Sequence, residues 1–339
     1  MVRFIVRLAA VLIVASLPVP LSAQEVQAPH PPRWHGMSWL ASYEARQGPE
    51  TTEKITRSFK VGPDGTLDIG NVAGRIVVTA GGRDTIDVLA VKRIRSREGD
   101  AKAQLEKAVV SMTERAGRVE VRTTYTERNA RVTVDYMVTA PAGTSVYARS
   151  ISGDIRIEGI KGEVRAEAVS GDVMAIGTPG VTLARSVSGE VTVSGAASPA
   201  ELRASSVSGT VTVRDAKVRN LDADSISGDL SLGGTECERV TARTVSGSIA
   251  FAGPLARNGR YDFKSQSGDI RLALAGDTGF DVDASSFSGT IRSDLPVTTR
   301  QGGEPSGRHA RHGLHGVHGD GSAQLLLSSF SGDITIARK

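Results

Sequence analysis

The stretch SVSGEVTVSG, Ser186 to Gly195, is followed twenty residues later by SVSGTVTVRD, Ser206 to Asp215. The shared pattern is an apolar residue, Ser, Gly, a small or acidic residue, then apolar, any, apolar. It marks nine glycines: Gly153, Gly171, Gly189, Gly209, Gly228, Gly247, Gly268, Gly289 and Gly332. The steps between them are 18, 18, 20, 19, 19, 21, 21 and 43 residues. A fixed period near twenty is the mark of a repeat architecture.

Within a repeat the letters alternate as in a strand. In Ile151-Ser-Gly-Asp-Ile-Arg-Ile157, unbroken alternation would put Ile151, Gly153, Ile155 and Ile157 on the inner face and Ser152, Asp154 and Arg156 outside. The recurring glycine would then point inward, where its missing side chain lets the wall bend or the opposite wall approach. A second strand precedes each marker, as in Val164/Ala166, Leu202/Ala204 and Val240/Ala242; Val181/Leu183 fits this register less well. Between the two strands the parity slips by one, the signature of a bulge or corner. Two strands and two turns make one coil. The expected fold is all-β: a β-solenoid, parallel β-helix-like, with about 18–21 residues and two main strands per coil.

The residue after each marker glycine tests the stacking. In sequence order it is Asp154, Asp172, Glu190, Thr210, Asp229, Ser248, Asp269, Thr290 and Asp333. Neutral residues interrupt the acids from Glu190 onward, which dilutes like-charge repulsion along a column. A structural ladder is favoured over calcium binding, because the G-G-x-G-x-D nonapeptide of calcium-binding rolls is absent.

The flanking segments differ. Met1 to Ala23 reads as a signal peptide: Arg3 and Arg7, an apolar run from Leu8 to Leu17, and a small-residue site at Leu21-Ser22-Ala23. The run is shorter than the ~20 residues that a membrane span needs. No other segment is apolar enough to span. Residues 24–53, rich in Pro and Gly, read as a flexible linker. They hold both tryptophans, Trp34 and Trp39, as loosely packed rings or a docking patch. Residues 54–145 read as an irregular β-rich N-terminal cap with one short helix near Asp100–Lys107. A hairpin is expected around Gly62-Pro63-Asp64-Gly65 and another around Ala116-Gly117. Asn71–Val78 looks like a worn copy of the marker. Residues 146–339 are the solenoid.

The last step hides an insertion. Removing the 21 residues Thr298–His318 restores a step of 22. The insertion is expected to be a disordered loop in one coil turn. It carries His309, His312, His315 and His318, whose spacing could clamp a metal; the interleaved glycines favour a solvated loop.

Composition limits function. The 339 residues carry a formal charge of +4, which falls to about +2 without Arg3 and Arg7. With both signs interleaved, no nucleic-acid partner is indicated. The lone Cys237 can form no internal disulfide, so the exported chain depends on packing and strand ladders. Acidic and basic residues recur with the period and do not converge in one coil. No catalytic residue, cofactor or metal is assigned.

The Ser-Gly-Asp-Ile/Val repeats, the lead-in Val134–Gly143 and the closing Leu325–Ile334 resemble the bacterial putative-adhesin family of β-strand-repeat domains. The resemblance covers about 55–339. It implies an adhesion role at the surface or envelope and brings no catalytic residues. The reading is an exported, non-enzymatic scaffold, periplasmic or at the cell surface, with a protein or glycan partner. The alternatives are a polysaccharide-binding or polysaccharide-active β-helix, and self-association through the solenoid ends, which are strand edges.

Overall fold

A computed structural model describes residues 50–95, 101–127, 131–299 and 312–339. The leader, Trp34 and Trp39 lie outside these residues. Apart from the short helix Ala101–Glu106, the regular structure described is strand. It forms a 13-stranded and a 14-stranded sheet.

From Ser145 onward each coil adds one strand to each sheet. Ser145–Ser152 is followed by the short strand Ile155–Glu158, Val164–Ser170 by Val173–Ile176, and Val191–Ser194 follows Val181–Ser188. Equivalent strands pair in parallel and in register: Ala166 lies beside Ala148 and Ala184, and Val173 between Ile155 and Val191. The stacked β-solenoid expected from the repeats is therefore the fold.

Packing follows from the alternation. Val164, Ala166 and Ala168 on the longer strand and Val173 and Ala175 on the shorter one are buried. The inward columns of the two sheets form one apolar cluster. Small Ala and Val side chains suffice because only two sheets have to meet. Toward the C-terminus larger residues fill the gap, and Phe251 of the short-strand sheet packs its ring 5.8 Å from Tyr261 and 5.5 Å from Phe263. Each buried Val or Leu contributes roughly 1.5–3 kcal/mol. The poor fit of Val181/Leu183 is a register shift: Val164 pairs with Val181, but Arg165 pairs with Leu183 and Ala166 with Ala184. One extra residue is accommodated there, and Ala184 is buried in place of Leu183.

The N-terminal end departs from one expectation. Glu50–Lys60 and Thr66–Ala73 do not form a hairpin. The first pairs antiparallel with Thr85–Arg95; the second enters the other sheet, beside Ser145–Ser152. The Gly62–Gly65 turn thus carries the chain between layers. Glu50–Glu53, read from composition as linker, pair with Arg95–Lys92. The second hairpin forms: Ala108–Arg115 and Arg118–Tyr125 pair antiparallel. Its two turn residues have positive φ, 50° at Ala116 and 76° at Gly117, as a tight primed turn requires. The worn marker copy sits where a first coil should, with Ala73 beside Ser152.

The C-terminal end departs further. Ala323–Ser331 does not follow Phe280–Ser288 in the stack. It lies between Arg260–Ser267 and Phe280–Ser288, and Ile334–Arg338 likewise lies between Ile270–Ala275 and Ile291–Ser293. The chain leaves a slot, builds the coil beyond it, and returns to fill the slot. The described ends of the 298–318 segment are therefore strands and not a loop within one coil turn. His312–His318 is a strand, antiparallel to Phe280–Ser288 at the sheet end, and Thr298–Thr299 pairs on its far side.

Candidate interaction face

From Ser186 onward the corner of each coil begins at a buried hydroxyl; Ala168 stands at that place one coil earlier, and the buried Ser150 hydroxyl before it has no hydrogen-bond partner among the described residues. Ser186, Ser206, Ser225, Thr244 and Ser265 stand immediately before the first marker residue, which is apolar in all but Gln266, and all are buried. Each donates a hydrogen bond to the carbonyl of the marker glycine one coil earlier. Ser186 reaches Gly171 at 2.8 Å, Ser206 reaches Gly189 at 2.9 Å and Thr244 reaches Gly228 at 3.0 Å. The displaced C-terminal coil keeps the rule in spatial order: Ser329 bonds Gly268 at 3.3 Å, and Ser286 bonds Gly332 at 3.0 Å. At the N-terminal end Asn71 takes the role, its Nδ2 donating to Gly74 O at 2.9 Å. A hydroxyl that meets an otherwise orphaned carbonyl turns a buried polar cost into a net gain of about 1 kcal/mol.

The glycines serve the same junction. A Cβ on Gly228 would overlap the carbonyl oxygen of Gly209, and one on Gly209 that of Gly189. The close approach runs along the stack, from coil to coil. The inward-pointing glycine expected from unbroken alternation is not found. At Gly153 and Gly171 the φ values of 139° and 141° also disfavour any other residue.

The acidic column ties the same corner from outside. Asp154 Oδ1 accepts the N–H of Asp172 at 3.1 Å, and Asp172 Oδ1 that of Glu190 at 2.8 Å. Asp229 holds Ser248 N at 2.7 Å, Asp269 holds Asp333 N at 2.9 Å and Asp333 holds Thr290 N at 2.8 Å. Backbone and side-chain hydrogen bonds from Thr290 pull the Asp333 carboxyl below its ordinary range. These carboxylates serve the neighbouring backbone. Among the described residues no group of three His, Cys, Asp or Glu is placed to hold a metal ion.

Between hydroxyl and glycine the strand turns, and two successive residues face outward. The apolar marker residues are therefore outside, contrary to the inner face expected for them. Ile151 is 54% exposed, Ile226 51% and Phe330 56%. With Val169, Val187, Val207 and Val245 they form an apolar column along the corner, broken only by Gln266. Phe330 and Phe287, adjacent through the displaced coil, stack face to face with ring centroids 4.8 Å apart. Beside the column runs a row of polar side chains, one per coil, two residues earlier on each longer strand. In order these are Arg149, Glu167, Arg185, Ser205, Asp224, Arg243 and Lys264. Shallow grooves lie between column and row at both ends, one around Ile151 and Val169 and one around Val245 and Phe330.

The other chemistry in the sequence does not gather here. His315 is exposed, its Nδ1 3.1 Å from Asp283 Oδ1. The His318 Nδ1 lies 2.7 Å from Pro296 O, and its ring 5.0 Å from Phe280. The two imidazoles engage different partners, and alternation puts them on opposite faces of their strand. His309 and the His312 side chain lie outside the described residues. Cys237 is buried, and burial pushes its thiol up to about 11, which suppresses thiolate chemistry. Among the described residues no helix is long and apolar enough to cross a membrane.

The hydroxyl column was missed by a marker that began one residue too late. Its signal is the first Ser of SVSG, in both copies quoted at the outset.

No curated protein matches the chain. Among solved structures it is similar to a putative adhesin from Bacteroides fragilis, at 13% identity and a TM-score of 0.41, over 84% of this chain and 96% of that one. A putative adhesin from Parabacteroides distasonis matches at 10% identity and 0.34, over 85% and 97%. A putative lipid-binding protein from the same species matches at 8% and 0.31, over 84% and 97%. Residues 181–337 match the family model described as Toastrack DUF4097. That span carries the marked coils from Val187 to Phe330.

Proposed function

We propose that the chain is an exported, non-enzymatic scaffold that holds a protein or glycan of the cell envelope against its apolar corner. The observation that carries this reading is the exposed column from Ile151 to Phe330. A soluble protein rarely leaves a contiguous apolar strip in water unless something covers it. The strip repeats with the coils, so it offers length and regular spacing and lacks the depth of a small-molecule pocket. The non-enzymatic reading is supported by the use of the conspicuous acids: Asp154, Asp172, Asp229, Asp269 and Asp333 each hold a backbone N–H of the next coil. Export is supported by the leader-like Met1–Ala23.

The test is retention of isolated envelope material on beads carrying residues 24–339. A Val169→Asp, Ile226→Asp, Val245→Asp triple variant should retain at least about tenfold less. A control changing Met174 and Thr192, outward on the other sheet, should behave as the parent. Equal retention by parent and triple variant overturns the reading. So does release of new reducing ends from an acidic polysaccharide by the parent.

A further inference from the structure

The apolar column and its polar row make a face with a directional charge order. We propose that this face docks a second copy of the chain, antiparallel, about a two-fold axis at Val207. The proposal rests on the scaffold reading above and names the occupant of its corner.

The argument starts from symmetry. A two-fold dimer uses one patch on both copies. When the axis lies in the interface across the stack, each column faces its own counterpart with the coil order reversed. Apolar column then meets apolar column, and polar row meets polar row. An axis along the stack would instead swap the sides and set the polar row against a different part of the partner.

Charge then selects the register. With the centre on the coil of Ser205 and Val207, Arg185 of one copy faces Asp224 of the other, and Glu167 faces Arg243. Symmetry makes each contact twice, giving four opposite-charge contacts. In the apolar column Val207 meets itself, Val187 meets Ile226 and Val169 meets Val245. Moving the centre by half a coil toward the C-terminus sets Arg185 against Arg243; half a coil the other way sets Glu167 against Asp224. A centre on the Arg185 or Asp224 coil sets that charge against itself. Only the central coil, with neutral Ser205, avoids such a clash in the middle of the row beside the column. Arg149 then faces Lys264, but Arg149 is already 3.9 Å from Glu167 within its own chain. Arg203, farther from the column, faces itself. It too is neutralised in its own chain, by Glu201 at 3.1 Å and Asp222 at 3.3 Å.

Size sets the strength. With the axis on the fourth of nine rungs, seven rungs of each copy meet; at the ~4.8 Å strand spacing they make a face about 30 Å long, and a width of about 15 Å gives on the order of 450 Å² per copy. Stable complexes bury ~800 Å² per partner. The dimer should therefore be reversible, with Kd in the micromolar range, and it should weaken as salt screens the rim charges.

Sedimentation velocity of residues 24–339 from about 1 to 200 µM reads this out. The parent should pass from monomer to dimer across that range. Val207→Asp, at the axis, should raise Kd at least about tenfold. Arg185→Glu alone and Asp224→Arg alone should each raise it about fivefold or more. The double variant should return to within about threefold of the parent, because each changed residue faces the other across the axis. Unaltered circular dichroism accompanies each variant counted. A monomer throughout, a dimer indifferent to Val207→Asp, or no recovery in the double variant overturns the proposal. A monomeric parent that still retains envelope material would discard self-docking and keep the scaffold reading. A dimer that retains none would do the reverse.

Discussion

The hydroxyl of Ser206 donates to the carbonyl of Gly189 at 2.9 Å, one coil away, and stands 3.0 Å from where a Cβ on Gly209 would lie. One side chain thus satisfies the backbone of the coil before it and crowds the corner of its own. Ser206→Ala should cost about 1 kcal/mol, the usual net worth of such a bond. Val207→Ser, one residue on and part-exposed at the corner, should cost less in a dilute monomer. Urea unfolding at low protein concentration compares them, and equal costs would contradict the corner geometry.

The glycine at the same junction should be still less replaceable. A Cβ on Gly228 would overlap the Gly209 carbonyl oxygen, and backbone cannot swing aside as a side chain can. Gly228→Ala should cost at least about 2 kcal/mol through overpacking. Gly233 has nothing within 4 Å of an added Cβ. Gly233→Ala should leave stability unchanged or raise it by up to about 1 kcal/mol through the unfolded chain. Similar urea midpoints for the two variants would remove the role given to the marker glycines.

These two residues also show what the sequence could tell. Period, strand pairs, the poor fit of Val181/Leu183 and the use of small core residues were legible, because stacking in register demands like residues at like places. The inside and outside of the marker were not. Alternation was carried through Ser-Gly as if the strand were straight, but the chain turns there and its parity starts again. An apolar letter on the outside reads the same as one on the inside. The displaced C-terminal coil had fainter signals: the step of 43, and the occurrence of Phe at the apolar marker position only in Phe287 and Phe330. Those two residues become neighbours only when the last coil fills the slot.

Acid should loosen the N-terminal end first. Asp68 is nearly buried and receives Arg118 Nη2 at 2.5 Å and Arg122 Nη2 at 2.9 Å. Burial pushes its carboxyl up, but the hydrogen bonds and charges of the two arginines outweigh it, and the net position is below the ordinary value. A carboxyl depressed in the folded state adds stability above its unfolded pKa of about 3.9. That stability is lost as pH falls through the folded value. Asp68→Asn should cost roughly 1–3 kcal/mol at pH 7. The cost should shrink steadily below about pH 4. Urea midpoints between pH 7 and pH 2 measure it, and a pH-independent difference would show that the ion pairs do not hold this edge.

Export predicts a new N-terminus. The basic start, apolar run and Leu21-Ser22-Ala23 site should direct cleavage after Ala23. Mass spectrometry of the protein recovered from native cells should find Gln24 first. An intact Met1–Ala23 segment on the mature protein would withdraw the export reading.

The histidine-bearing segment should prove structural. His312–His318 pairs along Phe280–Ser286, and the His318 ring lies 5.0 Å from that of Phe280, which is itself 1% exposed. Deleting 298–318 strips this strand from the end of the sheet and uncovers Phe280. Loss of that burial costs roughly 1.5–3 kcal/mol. Shortening the connection between the two last coils changes loop-closure entropy by less than about 1 kcal/mol and cannot restore it. The deletion variant should therefore unfold at clearly lower urea. Its bare strand edge should also promote association that Val207→Asp does not suppress. Zinc should leave the parent's melting temperature where it was, because the His315 and His318 rings engage different partners. A deletion variant as stable as the parent would mean that the segment covers nothing, and a zinc-dependent rise in melting temperature confined to the parent would make it a metal site.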